Sequence, residues 1–258
     1  MPRASNIAPN RHAVHPFDLK YGTDTGDYLR PDELGSGGVH DAMNNGYSAV
    51  APSVFREACL RWRETLPSSA ARVEAYTFVD VGAGKGRALL LAAELPFRKA
   101  IGVELNESLA SIAQKNVTLW KRVAQSQTKI RIVREDAAEF RWPRTPLLVY
   151  LNNPFDCELV ELLASRIAAA VASGPGLVDL LYVNPACADT LTRPGAGSTP
   201  CRHSASFGAS ATWSPPKEGF FKLLWNAQIK MDKADQRADP YGAASDRVSA
   251  FRYYAKLH

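Results

Sequence analysis

The chain has 258 residues, 46% hydrophobic and 22% charged, which suits one α/β domain with extensions and a sizeable core. Its formal charge of +5 comes from scattered basic residues (Arg61, Arg63, Lys121, Arg122, Arg131, Arg134), so no polybasic block marks a nucleic-acid or membrane tail, and an acidic partner is indicated no more than simple solubility. The four cysteines (Cys59, Cys157, Cys187, Cys201) form no CxxC or CxxH pair and no apolar run reaches membrane-spanning length, so the expectation is a soluble, cytoplasmic protein with reduced thiols and no disulfide framework, structural zinc or membrane partner.

Residues 1–16 read as a flexible, polar leader without the apolar core of a signal peptide; His12 and His15 lie close together there, but no third metal ligand is near. Residues 17–50 are rich in Gly, Asp, Asn and Tyr and read as irregular structure wrapping over something. A helix opening at Pro52 follows, with Val54, Ala58 and Trp62 at helical spacing. Residues 17–75 are thus taken as a lid and helix ahead of a core spanning 76–258.

From residue 76 a strand–helix alternation begins. Strands are expected at 76–81, 99–104, 129–136, 147–153 and 176–184, with helices at 87–95, 107–124 and 157–172 between them. Such alternation calls for a doubly wound, mostly parallel Rossmann-like sheet in three α/β/α layers. Residues 185–218 are small, polar and turn-rich, a loop insertion of the kind that is functional or disordered. Two β-like runs, 219–230 and 247–257, close the chain as an antiparallel hairpin, giving seven strands.

The stretch 78–87, FVDVGAGKGR, carries the most information. A buried strand runs into a tight glycine turn and then a helix, which places exposed N–H groups at the carboxyl end of a strand, where α/β proteins hold small ligands. A phosphate-binding P-loop needs Gly at 79 and Ser or Thr at 86, where Val79 and Gly86 stand, so that reading fails. A dinucleotide turn GxGxxG needs Gly at 87, where Arg87 stands, which weakens that reading without removing it. A third pattern, D-x-G-x-G-x-G, is filled by Asp80, Gly82, Gly84 and Gly86, with Ala83 between the first two glycines. Here an acidic residue can face a cationic ligand while glycines let the backbone approach.

Downstream spacing agrees. Glu104-Leu105 ends the second strand about 20 residues beyond the glycines, placed to accept ribose hydroxyls. Asp136-Ala137 ends the third, placed for an adenine amino group, with Asp136 also suited to cap the turn that follows. Asn152-Asn153-Pro154-Phe155 ends the fourth, at the expected reaction centre.

With these motifs, residues 76–184 resemble the class I S-adenosylmethionine-dependent methyltransferases. The resemblance implies S-adenosylmethionine as cofactor, held by Asp80, Gly82, Ala83, Gly84, Gly86, Glu104, Leu105, Asp136, Ala137 and Asn152. Tyr21-Gly22-Thr23-Asp24-Thr25 resembles the leading YGxDT segment of an uncharacterised bacterial group of that class. A looser similarity runs to the non-SET histone-lysine methyltransferases, through VDVGAG, GVE and the Asn152-Asn153 pair, and implies that 47–55 closes over the cofactor; the inserted Pro154 departs from their pattern. NNPF also resembles the N-P-P-[YF] motif of amino-group methyltransferases, with Asn153 in place of the first proline. Both similarities imply a nitrogen acceptor, oriented by Asn152, Asn153 and Phe155, on a protein side chain or small molecule, nucleic acid being the further option; the alternatives are methyl transfer to oxygen on a small molecule and a non-catalytic partner subunit that binds S-adenosylmethionine. Tyr21, Tyr28 and Tyr47 are lid candidates, and His40 and His203 the candidate bases.

Overall fold

The computed structural model describes residues 14–35, 45–67, 72–172, 177–192 and 219–255. Its frame is a seven-stranded sheet whose strands are β3 (Thr77–Val81), β4 (Lys99–Glu104), β5 (Ile130–Arg134), β6 (Leu147–Asn152), β7 (Val178–Val183), β8 (Gly219–Lys230) and β9 (Ser245–Ala255). They lie in the order β5-β4-β3-β6-β7-β9-β8. The first five are parallel, whereas β9 runs antiparallel between β7 and β8. This is the expected doubly wound, Rossmann-like sheet with a terminal antiparallel hairpin. The strand order reverses between β3 and β6, which opens a crevice at their carboxyl ends.

Period-two alternation sends β3 side chains to both faces. Phe78 joins a core cluster with the helices α2 (Pro52–Glu64), α3 (Arg87–Ala92) and α4 (Glu107–Val123), while Val79 and Val81 join one with α5 (Cys157–Ala172) and α6 (Ala188–Thr192). In α4, Asn106 caps the first turn by accepting from the Leu109 N–H (3.0 Å), and Leu109, Ala113, Val117 and Trp120 bury one stripe. In α2, Pro52 occupies the first turn, and Val54, Phe55, Ala58, Cys59 and Trp62 face the sheet.

One buried ion pair fastens this assembly. Asp179 of β7 is fully buried and accepts from Arg252 of β9 through Nε (2.6 Å) and Nη2 (3.0 Å), and from the Trp62 indole N–H (2.8 Å). Asp179→Ala strands a buried guanidinium and an indole N–H, a loss of about 3–5 kcal/mol. Thermal denaturation should show a midpoint lowered by roughly 10 °C; a shift under 2 °C would refute the assignment.

The segment before the core is more ordered than its composition suggests. Helix α1 (Pro16–Tyr21) is capped by His15, whose Nδ1 accepts from the Phe17 N–H (3.0 Å) and whose Nε2 contacts Asp235 Oδ1 (2.9 Å) on α7 (Lys233–Ala238). His15 is thus a structural residue, and among the described residues no cluster of three metal-ligating side chains occurs. Two short strands, β1 (Tyr28–Leu29) and β2 (Tyr47–Ser48), pair antiparallel.

The cysteine expectation requires correction. Cys157 and Cys187 form a disulfide with Cα atoms 5.1 Å apart. Parallel pairing of β6 and β7 brings the segments leaving their carboxyl ends together, so residues 30 apart in sequence become neighbours. Sequence spacing could not show this, because the proximity is created by strand register. Cys59 is free and buried. No helix among the described residues is long and apolar enough to cross a membrane.

Candidate functional site

The crevice between β3 and β6 holds a cleft of about 920 Å³ including its open mouth, lined by Asp80, Gly82, Ala83, Gly84, Glu104, Leu105, Asp136, Ala137, Asn152, Pro154 and Phe155, with Tyr47 and Tyr150 among its other walls. Residues from four successive strand ends therefore converge, as the in-register pattern predicts. Gly86 and Asn153 stand behind this wall: a side chain on Gly86 would meet Ala113 (3.3 Å), and Asn153 occupies a left-handed turn (φ 45°) that aims the following Pro154 inward.

Four acidic residues line the cleft, of which Asp80, Glu104 and Asp136 come from three successive strand ends and Glu135 stands beside Asp136. Asp80 is buried, and desolvation, reinforced by the Glu104 charge, pushes its carboxyl up to about 8. Glu104 is also raised by burial, an effect opposed by backbone N–H donors. Its Oε2 accepts from Gly84 N (2.7 Å) and its Oε1 from Asn106 N (2.8 Å), so one carboxylate ties the glycine turn to the start of α4. Asp136 Oδ1 accepts from Ala138 N (2.9 Å), the turn cap its position suggests.

The glycine turn differs from expectation in one respect that decides its chemistry. Its N–H groups are internally used: Gly82 and Ala83 donate to the Val103 carbonyl (2.9 and 3.0 Å), Gly84 to Glu104, and Gly86 to the Ala83 carbonyl (2.9 Å). Lys85 is buried and held by Asp24 (2.9 Å) and Asp27 (3.1 Å). A phosphate would meet satisfied donors and neighbouring carboxylates, a poor anion site. A cationic group meets the reverse.

The turn is covered from the N-terminal side. The Tyr47 ring lies on Gly84, where even a methyl group would sit 2.1 Å from Cε2, and the Tyr47 hydroxyl donates to the Thr25 carbonyl (2.8 Å). Of the other lid candidates, Tyr21 packs in the core against Phe17 and Trp120, and Tyr28 stands edge-on to Tyr241 (5.1 Å), so neither lines the cleft.

Arg87, which spoiled the dinucleotide pattern, has a positive role. It is buried and donates to Thr25 Oγ1 (2.7 Å) and Asp18 Oδ2 (2.9 Å), while Asp18 Oδ1 also accepts from the hydroxyls of Thr23 (2.6 Å) and Thr25 (2.7 Å). Asn116 of α4 accepts from Asp24 N (2.8 Å) and donates to the carbonyls of Asp24 and Lys85 (2.7 and 2.9 Å). The YGTDT segment is thus latched onto the glycine turn by a buried polar network.

At the fourth strand end, Asn152 Nδ2 donates to the Ser48 carbonyl (2.8 Å), leaving Oδ1 as the acceptor of its amide. Asn45, absent from the sequence-level site, stitches residues 45–48 to the NNPF turn. Its backbone N–H donates to the Pro154 carbonyl (2.9 Å), and its Nδ2 to those of Asn153 (2.9 Å) and Phe155 (3.1 Å). Pro154 abuts Gly82, where an added Cβ would lie 2.8 Å from the Pro154 Cβ. Phe155 is buried at the cleft margin. His40 and His203 lie outside the described residues, as do Cys201 and most of the 185–218 loop.

No family model matches the chain, and no curated protein matches it. Among solved structures, the chain is similar to the 23S rRNA methyltransferase ErmE (12% identity, TM-score 0.45), covering 81% of this chain and 71% of that one. TrmN from Thermus thermophilus is 18% identical (TM-score 0.44) over 80% of this chain and 49% of its own, so the chain spans about half of TrmN. Magnesium protoporphyrin IX methyltransferase (ChlM) from Synechocystis PCC 6803, solved with bound SAM, is 11% identical (TM-score 0.44) over 77% of each chain.

Proposed function

We propose that this chain is an S-adenosylmethionine-dependent methyltransferase of class I acting on a nitrogen acceptor. The observation that carries the reading is the combination at the β3–β6 crevice: three carboxylates from successive strand ends around a glycine turn whose N–H groups are consumed internally. Such a site favours a ligand with ribose and a positive charge over one with a pyrophosphate.

The residues fit the cofactor. Asp80 would receive its cationic tail, Glu104 the ribose hydroxyls, and Asp136 with Ala137 the adenine edge, while Gly82, Ala83, Gly84 and Leu105 shape the walls around it. When bound, the cofactor supplies an activated methyl and its leaving group. The protein's part is alignment and exclusion of water. Asn152 Oδ1, the acceptor of an amide whose Nδ2 is committed to Ser48, would accept from an acceptor N–H and so direct the nitrogen lone pair, with Phe155 at the same corner and Asn153 acting from behind by setting the turn. An amine on a protein side chain or small molecule suits this arrangement best, and a nucleobase amino group is the further option. Tyr47 and the strap behind it serve as the roof.

The test is calorimetric titration of the protein with S-adenosylmethionine and, separately, NADH. Binding of the first and no response to the second is expected; the opposite result refutes the reading. A radiolabelled-methyl assay on lysate, sorted into protein, nucleic-acid and small-molecule fractions, then identifies the acceptor class, with label expected in protein or small amines.

A further inference from the structure

Buried hydroxyls almost always have a hydrogen-bond partner, because an unpaired one forfeits its hydration without return. Tyr150 breaks that rule. It is 1% exposed, and its hydroxyl, like that of Ser249, has no hydrogen-bond partner among the described residues, but only Tyr150 of the two lines the cleft. The ring is fixed by Phe55 (centroids 5.3 Å apart) and Phe78 (5.8 Å), so the group cannot swing away to find one.

Its position explains the omission. Tyr150 of β6 is the register partner of Asp80 on β3, so both side chains leave the same face of adjacent strands, and both line the cleft. Among the described residues no hydrogen-bond donor stabilises the charge of Asp80, and its neighbour Glu104 opposes ionisation. The cleft wall therefore holds, on two register-paired residues, two oxygen groups with unused capacity, a carboxyl and a phenol. A primary ammonium group, with three donors and a positive charge, can donate to both and pairs with the ionised carboxyl, which a neutral donor does not.

We infer that the Tyr150 hydroxyl is a ligand-binding group, the second acceptor for the ammonium of the amino-acid tail received by Asp80. The inference rests on the methyltransferase reading and adds to it a residue that none of the glycine-turn or strand-end motifs includes. In the free protein the unpaired hydroxyl costs stability; in the complex it gains its partner.

The test compares wild type with Tyr150→Phe, which keeps the ring and its packing. Two probes are titrated: S-adenosylmethionine, and 5′-methylthioadenosine, which retains the nucleoside and sulfur but lacks the amino-acid tail. Tyr150→Phe should bind S-adenosylmethionine about 10- to 100-fold more weakly, as expected for one lost hydrogen bond to a charged group, and 5′-methylthioadenosine as wild type does. The thermal midpoint of the free variant should equal or exceed that of wild type. Unchanged S-adenosylmethionine affinity overturns the inference and leaves the methyltransferase reading standing. Equal weakening of both probes, or a lowered midpoint, assigns Tyr150 to packing and also overturns it. Wild-type protein that binds no S-adenosylmethionine overturns both.

Discussion

Asp80→Asn should abolish S-adenosylmethionine binding while raising the thermal stability of the free protein. Both effects have one cause. The carboxyl is buried, and desolvation together with the Glu104 charge lifts it from 3.8 to about 8. Between those values the folded chain keeps a proton that the unfolded chain has lost. This group's contribution to stability is therefore full below about pH 4 and declines as pH rises through about 8. Replacing it with a neutral amide of the same shape removes the penalty. The midpoint difference between variant and wild type should be near zero at pH 4 and grow toward pH 8, by about 2–4 °C per kcal/mol recovered. Binding moves the other way. A cation pairs with the ionised form, so wild-type affinity should rise by up to about tenfold per pH unit below 8 and then level off. A variant that binds as wild type does, or that melts lower at pH 8, would refute the account.

The opposed signs place Asp80 with groups kept at a cost to the fold because the ligand needs them. Tyr150, its register partner in the cleft wall, belongs with it. By contrast, Asp179 is equally buried but saturated by Arg252 and Trp62, and its loss should only destabilise. Two buried aspartates in one sheet are distinguished by their partners alone.

How much of this could be read from the chain depended on the range of each interaction. Strand 99–104, helix 157–172 and the run 219–230 appear where periodicity puts them, because a local apolar pattern dictates a local element. The strand-end residues Asp80, Glu104, Asp136 and Asn152 converge because parallel register is itself set by those patterns. The Arg87–Asp18 pair spans 69 positions and Asn45 reaches across more than 100, and no local signal announces either. Arg87 did leave a trace, as a long cation where a glycine pattern wanted none. The irregular composition of residues 17–35 and 45–50 conceals order, since their polar side chains bond both to the core, as Asp18 does to Arg87 and Asn45 to the Asn153 and Phe155 carbonyls, and to one another, as Thr23 and Thr25 do to Asp18, without a repeating ladder. The disulfide was illegible for the same reason as the Arg87 pair: its closeness exists only once β6 and β7 are paired.

Gly84→Ala should be the most damaging alanine substitution among the described glycines. Gly84 sits at φ 54°, where a side chain costs about 1–2 kcal/mol, and the new Cβ would lie 2.1 Å from the Tyr47 ring. That ring cannot simply tilt: its hydroxyl is bonded to the Thr25 carbonyl, and strap residues on both sides of it are stitched to the NNPF turn through Asn45 and Ser48. Either the turn shifts, breaking the Gly84–Glu104 bond, or the strap lifts and opens the roof. Both routes spoil the cleft, so cofactor affinity should fall at least about 100-fold, with about 3 kcal/mol of stability lost to strain and overpacking together. The cause is separable by a double-mutant cycle. If the clash with Tyr47 dominates, Gly84→Ala combined with Tyr47→Ala should melt higher than the sum of the single effects predicts, because the second change removes what the first collides with. The strain at φ 54° remains in either background. Additive losses in that cycle would show that the ring does not rest on the turn, and the roof would have to be sought elsewhere.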